Sequence, residues 1–261
     1  TRKLYTALSE ISYGMEDNKK KGLANTQYDK GGPNHLKVAY NPCGCVYQLD
    51  VDAAYSATTM SALVCGAPIT ADADGNTCDL DGIAHPDNVA MISEYHQLLI
   101  GEDTSAHQND LVWLYDLKDR TLTRIASTPY GSETTSPYWY PGIFGHSYMT
   151  LVVQHPYGES DSDKATDAAA TGRAGWIGYL GPFPADPTTP VWYPIDSPTG
   201  DAKHKVVTST SVRQPDGSHE SVQFTTLARS GDSFGTHKMG RVVDKDMQVV
   251  YDQNTDGSKS S

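Results

Sequence analysis

Five side chains able to hold a metal ion crowd one turn of this sequence. They are Glu102, Asp103, His107, Asn109 and Asp110, inside the stretch LLIGEDTSAHQNDLVWLYD that runs from Leu98 to Asp116. Carboxylate and amide oxygens are the ligands of hard cations such as calcium. A solvent loop needs polarity, but not this density of oxygen donors. Strand, acidic turn, strand is how a β-scaffold presents a cation site at one end of its sheet.

The elements that must position this turn are strands. Leu98-Leu99-Ile100 and Leu111 to Tyr115 are short apolar runs of buried-strand type, and Thr121 to Ala126 alternates as a half-buried strand does. Leu4 to Leu8, Cys45 to Asp52, Tyr148 to Val153, Gly175 to Gly181, Ser221 to Leu227 and Gly240 to Tyr251 read the same way. Gly 23, Pro 15 and Tyr 16 punctuate these runs, which favours an all-β fold over helices. Four strands in sequence with tight turns between them, closing on Thr121 to Ala126, form the repeat unit of a β-propeller blade. The expected architecture is a partial set of four-stranded blades with long loop insertions. No exact repeat at a fixed period is visible, so this reading rests on strand grammar.

Three segments follow from the punctuation. Residues 1–183 carry the metal-type motifs, 184–217 form a Pro-rich connection, and 218–261 add further strands. Pro182 to Pro198 holds six prolines, which remove backbone donors and predict an extended, poorly packed link. Glu16 to Gly32 reads as a surface insertion and Gly158 to Gly172 as a mobile acidic loop. Two further runs have partial calcium-loop character, Asp72-Asp74-Asn76-Asp79 around Gly75 and Asp252 to Gly257; neither has complete EF-hand spacing, and a plain turn is the competing reading of each.

Charge narrows the partners. Lys plus Arg is 20 and Asp plus Glu is 32, so the formal charge is −12. Nucleic acid and anionic membranes are disfavoured, and multivalent cations are suited; simple solubility explains the same composition. No apolar run approaches the ~20 residues of a membrane helix. Cys43, Cys45, Cys65 and Cys78 match neither a zinc pair nor a haem motif. An even count in a loop-rich region points to two disulfides, in one of three connectivities, and so to a periplasmic or secreted protein. Buried free thiols are the alternative.

Three stretches together carry a resemblance: GIAHPDN (Gly82 to Asn88), GEDTSAHQNDLVWLYD (Gly101 to Asp116), and Thr128 to Gly158, opening TPYGSETTSP and ending VQHPYG. The chain resembles the PhoX-type alkaline phosphatases over most of Thr1 to Pro184. Those are secreted β-propellers that hydrolyse phosphate monoesters with an iron and calcium cluster at one end. The resemblance implies calcium and iron as cofactors and a phosphate monoester as substrate. It implies Glu102 and Asp103 as first ligands, then Asp87 and Glu133. Asn109 and Asp110 either ligate or brace the loop by Asx-type bonds. His107 and His155 either ligate iron or move protons, or else are packed and capping residues. Arg229 and Arg124 are the candidate phosphate contacts, with a cross-strand ion pair as the other role of Arg124.

Two departures from that family stand out. Its iron-binding Thr-Cys-Glu-Glu motif is missing, and the run from Thr226 to Asp232, which looks like the opening of a family member, follows Gly178 to Pro184, which looks like the close of one. The expectation is that this chain does not hydrolyse phosphate monoesters alone and works with further sequence of the same protein or another copy. A calcium-stabilised binding or structural propeller, and a calcium-dependent lactonase or esterase propeller, are the competing classes. A serine hydrolase is disfavoured because no G-x-S-x-G elbow occurs.

Overall fold

The computed structural model describes residues 2–27, 37–158, 174–184, 191–213, 216–241 and 244–246, together with 248, 252–253 and 259–260. In chain order the strands are β1 (Arg2–Leu8), β2 (Lys19–Lys20), β3 (Leu23–Ala24), β4 (Cys45–Val51), β5 (Ala57–Cys65), β6 (Pro86–Ile92), β7 (Gln97–Glu102), β8 (Leu111–Asp116), β9 (Leu122–Ser127), β10 (Glu133–Ile143), β11 (His146–Gln154), β12 (Trp176–Pro184), β13 (Val191–Trp192), β14 (Val207–Thr208), β15 (Ser211–Arg213), β16 (His219–Ser221), β17 (Gln223–Arg229), β18 (Ser233–Phe234) and β19 (His237–Lys238). Among the described residues there is no α-helix, only the 3-10 turns Tyr13–Met15 and Gly200–His204. The fold is all-β, and among the described residues no sheet closes on itself.

The sequence from Pro86 to Ser127 builds an antiparallel meander, β6 to β9, with β14 added beside β9. Its centre is β7, every residue of which is buried. Alternation along the strand sends neighbouring side chains to opposite faces. Leu98 and Ile100 pack with Val46, Ile83, Leu111, Trp113 and Tyr115. Leu99 packs the other way, with Val112, Leu114, Ile125, Trp139, Met149 and Leu180. A strand covered on both faces must be apolar at every position, which is why LLI is a run rather than an alternation. Each such leucine contributes roughly 1.5–3 kcal/mol by burial.

The two covering layers are the sheet β1-β4-β5 and the sheet β10-β11-β12-β17. β1 approaches β6 on one side, and β10 approaches β6 and β7 on the other. A smaller sheet, β13-β15-β16, puts Trp192 and Val212 against the second core.

Both disulfides form. Cys45 and Cys65 are direct cross-strand partners on β4 and β5, and Cys43 reaches Cys78. No free cysteine remains.

Sheet pairing crosses the boundaries drawn at 183 and 217, because β17 pairs with β12 along Trp176 to Gly181. The Pro-rich link is also anchored: Trp192 is 5 % exposed and its ring lies 4.9 Å from that of Phe183. A large aromatic ring buries enough area to override the extended character of its proline neighbours. Residues 185–190 lie outside the described residues, as do 159–172 of the acidic loop and most of Asp252 to Gly257. The strand expected over Gly240 to Tyr251 is absent among the described residues; Asp244 instead caps a turn, accepting from the Asp246 and Gln248 N–H groups.

Candidate metal centre

Asp87, Asp103 and Glu133 converge. Each offers a carboxylate oxygen, and the three oxygens all lie within 4.8 Å of one another. Oxygens bound to one calcium at ~2.3–2.6 Å stand no more than about 5 Å apart, so the spacing suits a single hard cation. Asp87 is exposed, while Asp103 and Glu133 are half-buried. Burial pushes the Glu133 carboxyl above its usual range; the hydrogen bond from His155 opposes this, and the Asp103 and Asp87 carboxylates push it further up. Like charges this close call for a counter-charge.

The convergence has a local cause. Asp87 follows Pro86, which opens β6 opposite Glu102, and a bulge between Pro86 and Asn88 displaces Asp87 from the ladder. Asp103 is the first residue after β7, and Glu133 is the first of β10. One threonine joins these last two. Thr134 Oγ1 accepts from the Glu102 N–H at 2.7 Å and donates to the Glu102 carbonyl at 2.9 Å. Glu133 therefore arrives beside Asp103. Gly101 makes the approach possible, since a Cβ there would stand 2.7 Å from Thr134 Oγ1.

His155 borders the group. Its Nε2 is 3.1 Å from Glu133 Oε2, and its neighbour Gln154 is the ladder partner of Glu133. His155 and His85 both hold left-handed backbone, at φ 29 and φ 38. Such conformations cost on the order of 1–3 kcal/mol and concentrate at functional positions.

Glu102 stands apart, although it was the first expected ligand together with Asp103. Adjacent residues at a strand end face opposite ways, so Glu102 turns inward and is fully buried. Its Oε1 accepts from the Ala84 N–H (2.9 Å) and Trp113 Nε1 (2.7 Å). Its Oε2 accepts from the Leu111 N–H (3.0 Å) and pairs with His107 Nδ1 (2.9 Å). Four donors fill the carboxylate, which leaves no lone pair for a metal. The other nitrogen of His107 is 3.2 Å from the Asp79 carbonyl. Both partners are acceptors, so both nitrogens must donate and the imidazole is a cation. Burial works against that charge, but the Glu102 carboxylate outweighs it and holds His107 above its ordinary value.

The remaining expected residues brace the turn. Asn109 Nδ2 donates to the carbonyls of Thr128 (2.8 Å) and Lys203 (2.9 Å). Asp110 Oδ2 accepts from the Thr104 N–H at 3.1 Å. Arg124 donates to the carbonyls of Leu80 and Ile195 and to Asp81, with its guanidinium over Trp113; it ties β9 of the central meander to two loops rather than offering itself to a phosphate. Arg229 is exposed and lies over Trp176 at 5.3 Å. The Asp72 run forms the plain turn: Asp72 accepts from the Asp74 and Asn76 backbone and from Asn76 Nδ2. Sequence reasoning missed Thr134 and Gly101. The Gly before Glu102 and the Thr after Glu133 were visible, but their contact spans 33 residues.

The donor set is all oxygen apart from His155, which fits calcium. With all four cysteines in disulfides, no thiolate is available for iron. No protein-family model, curated protein or solved structure matches the chain.

Proposed function

We propose that this chain is the cation-binding part of a metal-dependent phosphomonoesterase of PhoX type, with its stacked sheets standing as successive propeller blades. The observation that carries the reading is the convergence of Asp87, Asp103 and Glu133 from three separate strand ends. A calcium ion held there would neutralise phosphate oxygens and act as a Lewis acid. The chain's own residues hold and orient. Asp103 and Glu133 are fixed by the Thr134 clamp, and His155, hydrogen-bonded to Glu133, is placed to hold a proton on Nε2 at the edge of the group. An acidic protein binds an anionic substrate in this scheme because the cation reverses the local field.

The two disulfides favour an extracytoplasmic setting. No helix of the described residues is long and apolar enough to cross a membrane. The outer face of the β10-β11-β12-β17 sheet exposes Tyr138, Tyr140, Ile143 and Leu227, which favours a functional unit with a further layer, from more of the same protein or a second copy.

The missing thiolate favours a second reading, a calcium-stabilised binding module or a lactonase or esterase propeller without iron. Calorimetry separates the two. Calcium binding that Asp103→Asn abolishes, together with inorganic phosphate binding that depends on the cation, is the expected result. Calcium without phosphate supports the second reading, and unchanged calcium affinity in Asp103→Asn overturns the site. With added calcium and ferric iron the 261-residue chain is expected to leave p-nitrophenyl phosphate intact; robust turnover would show that the site is complete within this chain.

A further inference from the structure

The sheet β10-β11-β12-β17 packs one face toward the central meander and leaves the other to solvent. Alternation decides which side chains stand on the open face. Trp139, Met149 and Leu180 turn inward and are buried, so their neighbours Tyr138, Tyr140, Tyr148 and Tyr179 turn outward. The ladder sets Tyr140 opposite Tyr148, and Thr150 between Tyr138 and Tyr179. Tyr140, Ile143, Tyr148, Thr150, Tyr179 and Leu227 line a groove of about 410 Å³. Phe144, at the tip of the β10–β11 hairpin, is 98 % exposed.

The rings hold one another in place. Tyr138 and Tyr140 lie 4.9 Å apart, and Tyr148 meets Tyr179 edge-on at 5.3 Å. A face ordered in advance loses little side-chain freedom when it is covered. Tyrosine also brings a large apolar ring and a hydroxyl that water or a partner can pair. The nine residues of β11 at ~3.3 Å each, and four strands ~4.8 Å apart, give a face of roughly 570 Å². Monomeric proteins rarely expose an apolar patch of that size. Two such faces pressed together remove about 1,100 Å² from water, above the ~1,000 Å² that a specific interface needs.

Charge selects the occupant. Neither Tyr138 nor any of the six groove residues is charged, in a chain of formal charge −12. A different protein recognising so acidic a chain gains steering and specificity from its carboxylates, and this face offers it none. A two-fold axis sets each residue against residues of the same patch. Two copies can therefore touch here without opposing carboxylate to carboxylate. We propose that this face is the two-fold interface of a homodimer, the sheets of two copies packing face to face as an aligned β-sandwich. The proposal rests on the reading that the functional unit carries a further layer over this sheet, commits that layer to a second copy, and does not involve the cation.

Sedimentation velocity of the full chain between about 1 and about 100 µM tests it. The expected result is a species of twice the 28.3 kDa chain mass that dissociates on dilution. Added sodium chloride should tighten it, because screening relieves the repulsion between two acidic copies. Leu227 is 59 % exposed and Tyr140 42 %, so Leu227→Lys and Tyr140→Lys should keep the circular dichroism of the parent. Each should weaken the dimer at least ~30-fold, as loss of an interface anchor does. Leu4→Lys, on the opposite outer sheet, and Asp103→Asn should leave the dimer intact, which separates its failure from that of the cation site. A monomer at the highest concentration overturns the proposal and assigns the layer to further sequence of the same protein. A dimer that salt weakens, that survives both lysine variants or that Leu4→Lys breaks uses another surface, and overturns it equally.

Discussion

His107 Nδ1 lies 2.9 Å from Glu102 Oε2, and neither side chain is exposed to solvent. The pair sits under the acidic turn and ties it to the Asp79 carbonyl and to β8. Its pH dependence has a definite sign. The folded state raises His107 above its ordinary value of 6.5, so the native protein holds a proton that the unfolded chain releases. The stabilisation is complete below that ordinary value and is lost as pH rises through the folded value. Urea denaturation across pH 5.5 to about 10 should show His107's contribution falling on the alkaline side. Glu102→Ala should cost roughly 3–5 kcal/mol by stranding the buried cation, and His107→Gln should flatten the alkaline decline. An unchanged alkaline limb in His107→Gln would refute the assignment.

The Thr134 clamp predicts coupling between stability and cation affinity. Thr134→Val keeps the shape but leaves the buried Glu102 N–H without its partner, at a cost of about 1–3 kcal/mol. Calcium affinity should fall with it, because Glu133 is no longer tethered beside Asp103. Thr134→Ser should retain both properties. Gly101→Ala should cost about 1–3 kcal/mol by overpacking against Thr134. Paired chemical denaturation and calorimetry check all three variants.

Removing the Cys45–Cys65 cross-link by a double alanine substitution should cost roughly 2–4 kcal/mol, since the loop it closes spans 20 residues. The bond joins ladder partners, so the pairing of β4 with β5 should survive. Circular dichroism that kept its strand signal while the urea midpoint fell would match.

Leu99→Ala should cost about 2–5 kcal/mol, because this side chain is fully buried between two sheet layers. Leu4, 55 % exposed on β1, should tolerate the same change within about 0.5 kcal/mol. Comparable losses at both positions would contradict the layer order.

The sequence by itself determined the strand content, the central meander and the presence of two disulfides. These are local properties: apolar runs, alternation and turn residues act over neighbours along the chain, and an even cysteine count states its own arithmetic. The resemblance carried by its motifs also named Asp87, Asp103 and Glu133, together with Glu102, Asp110 and Asn109, as metal ligands. What it could not divide was Glu102 from Asp103, two adjacent carboxylates in the same motif. That choice belonged to the strand end, where alternation sends one side chain inward to four donors and the other outward to the acidic group. The pairing of β12 with β17, the anchoring of Trp192 and the Gly101–Thr134 contact were decided only in three dimensions. Each joins residues more than 30 positions apart, or a side chain to a core assembled from several strands, and no periodicity along the chain encodes which distant face a residue will meet.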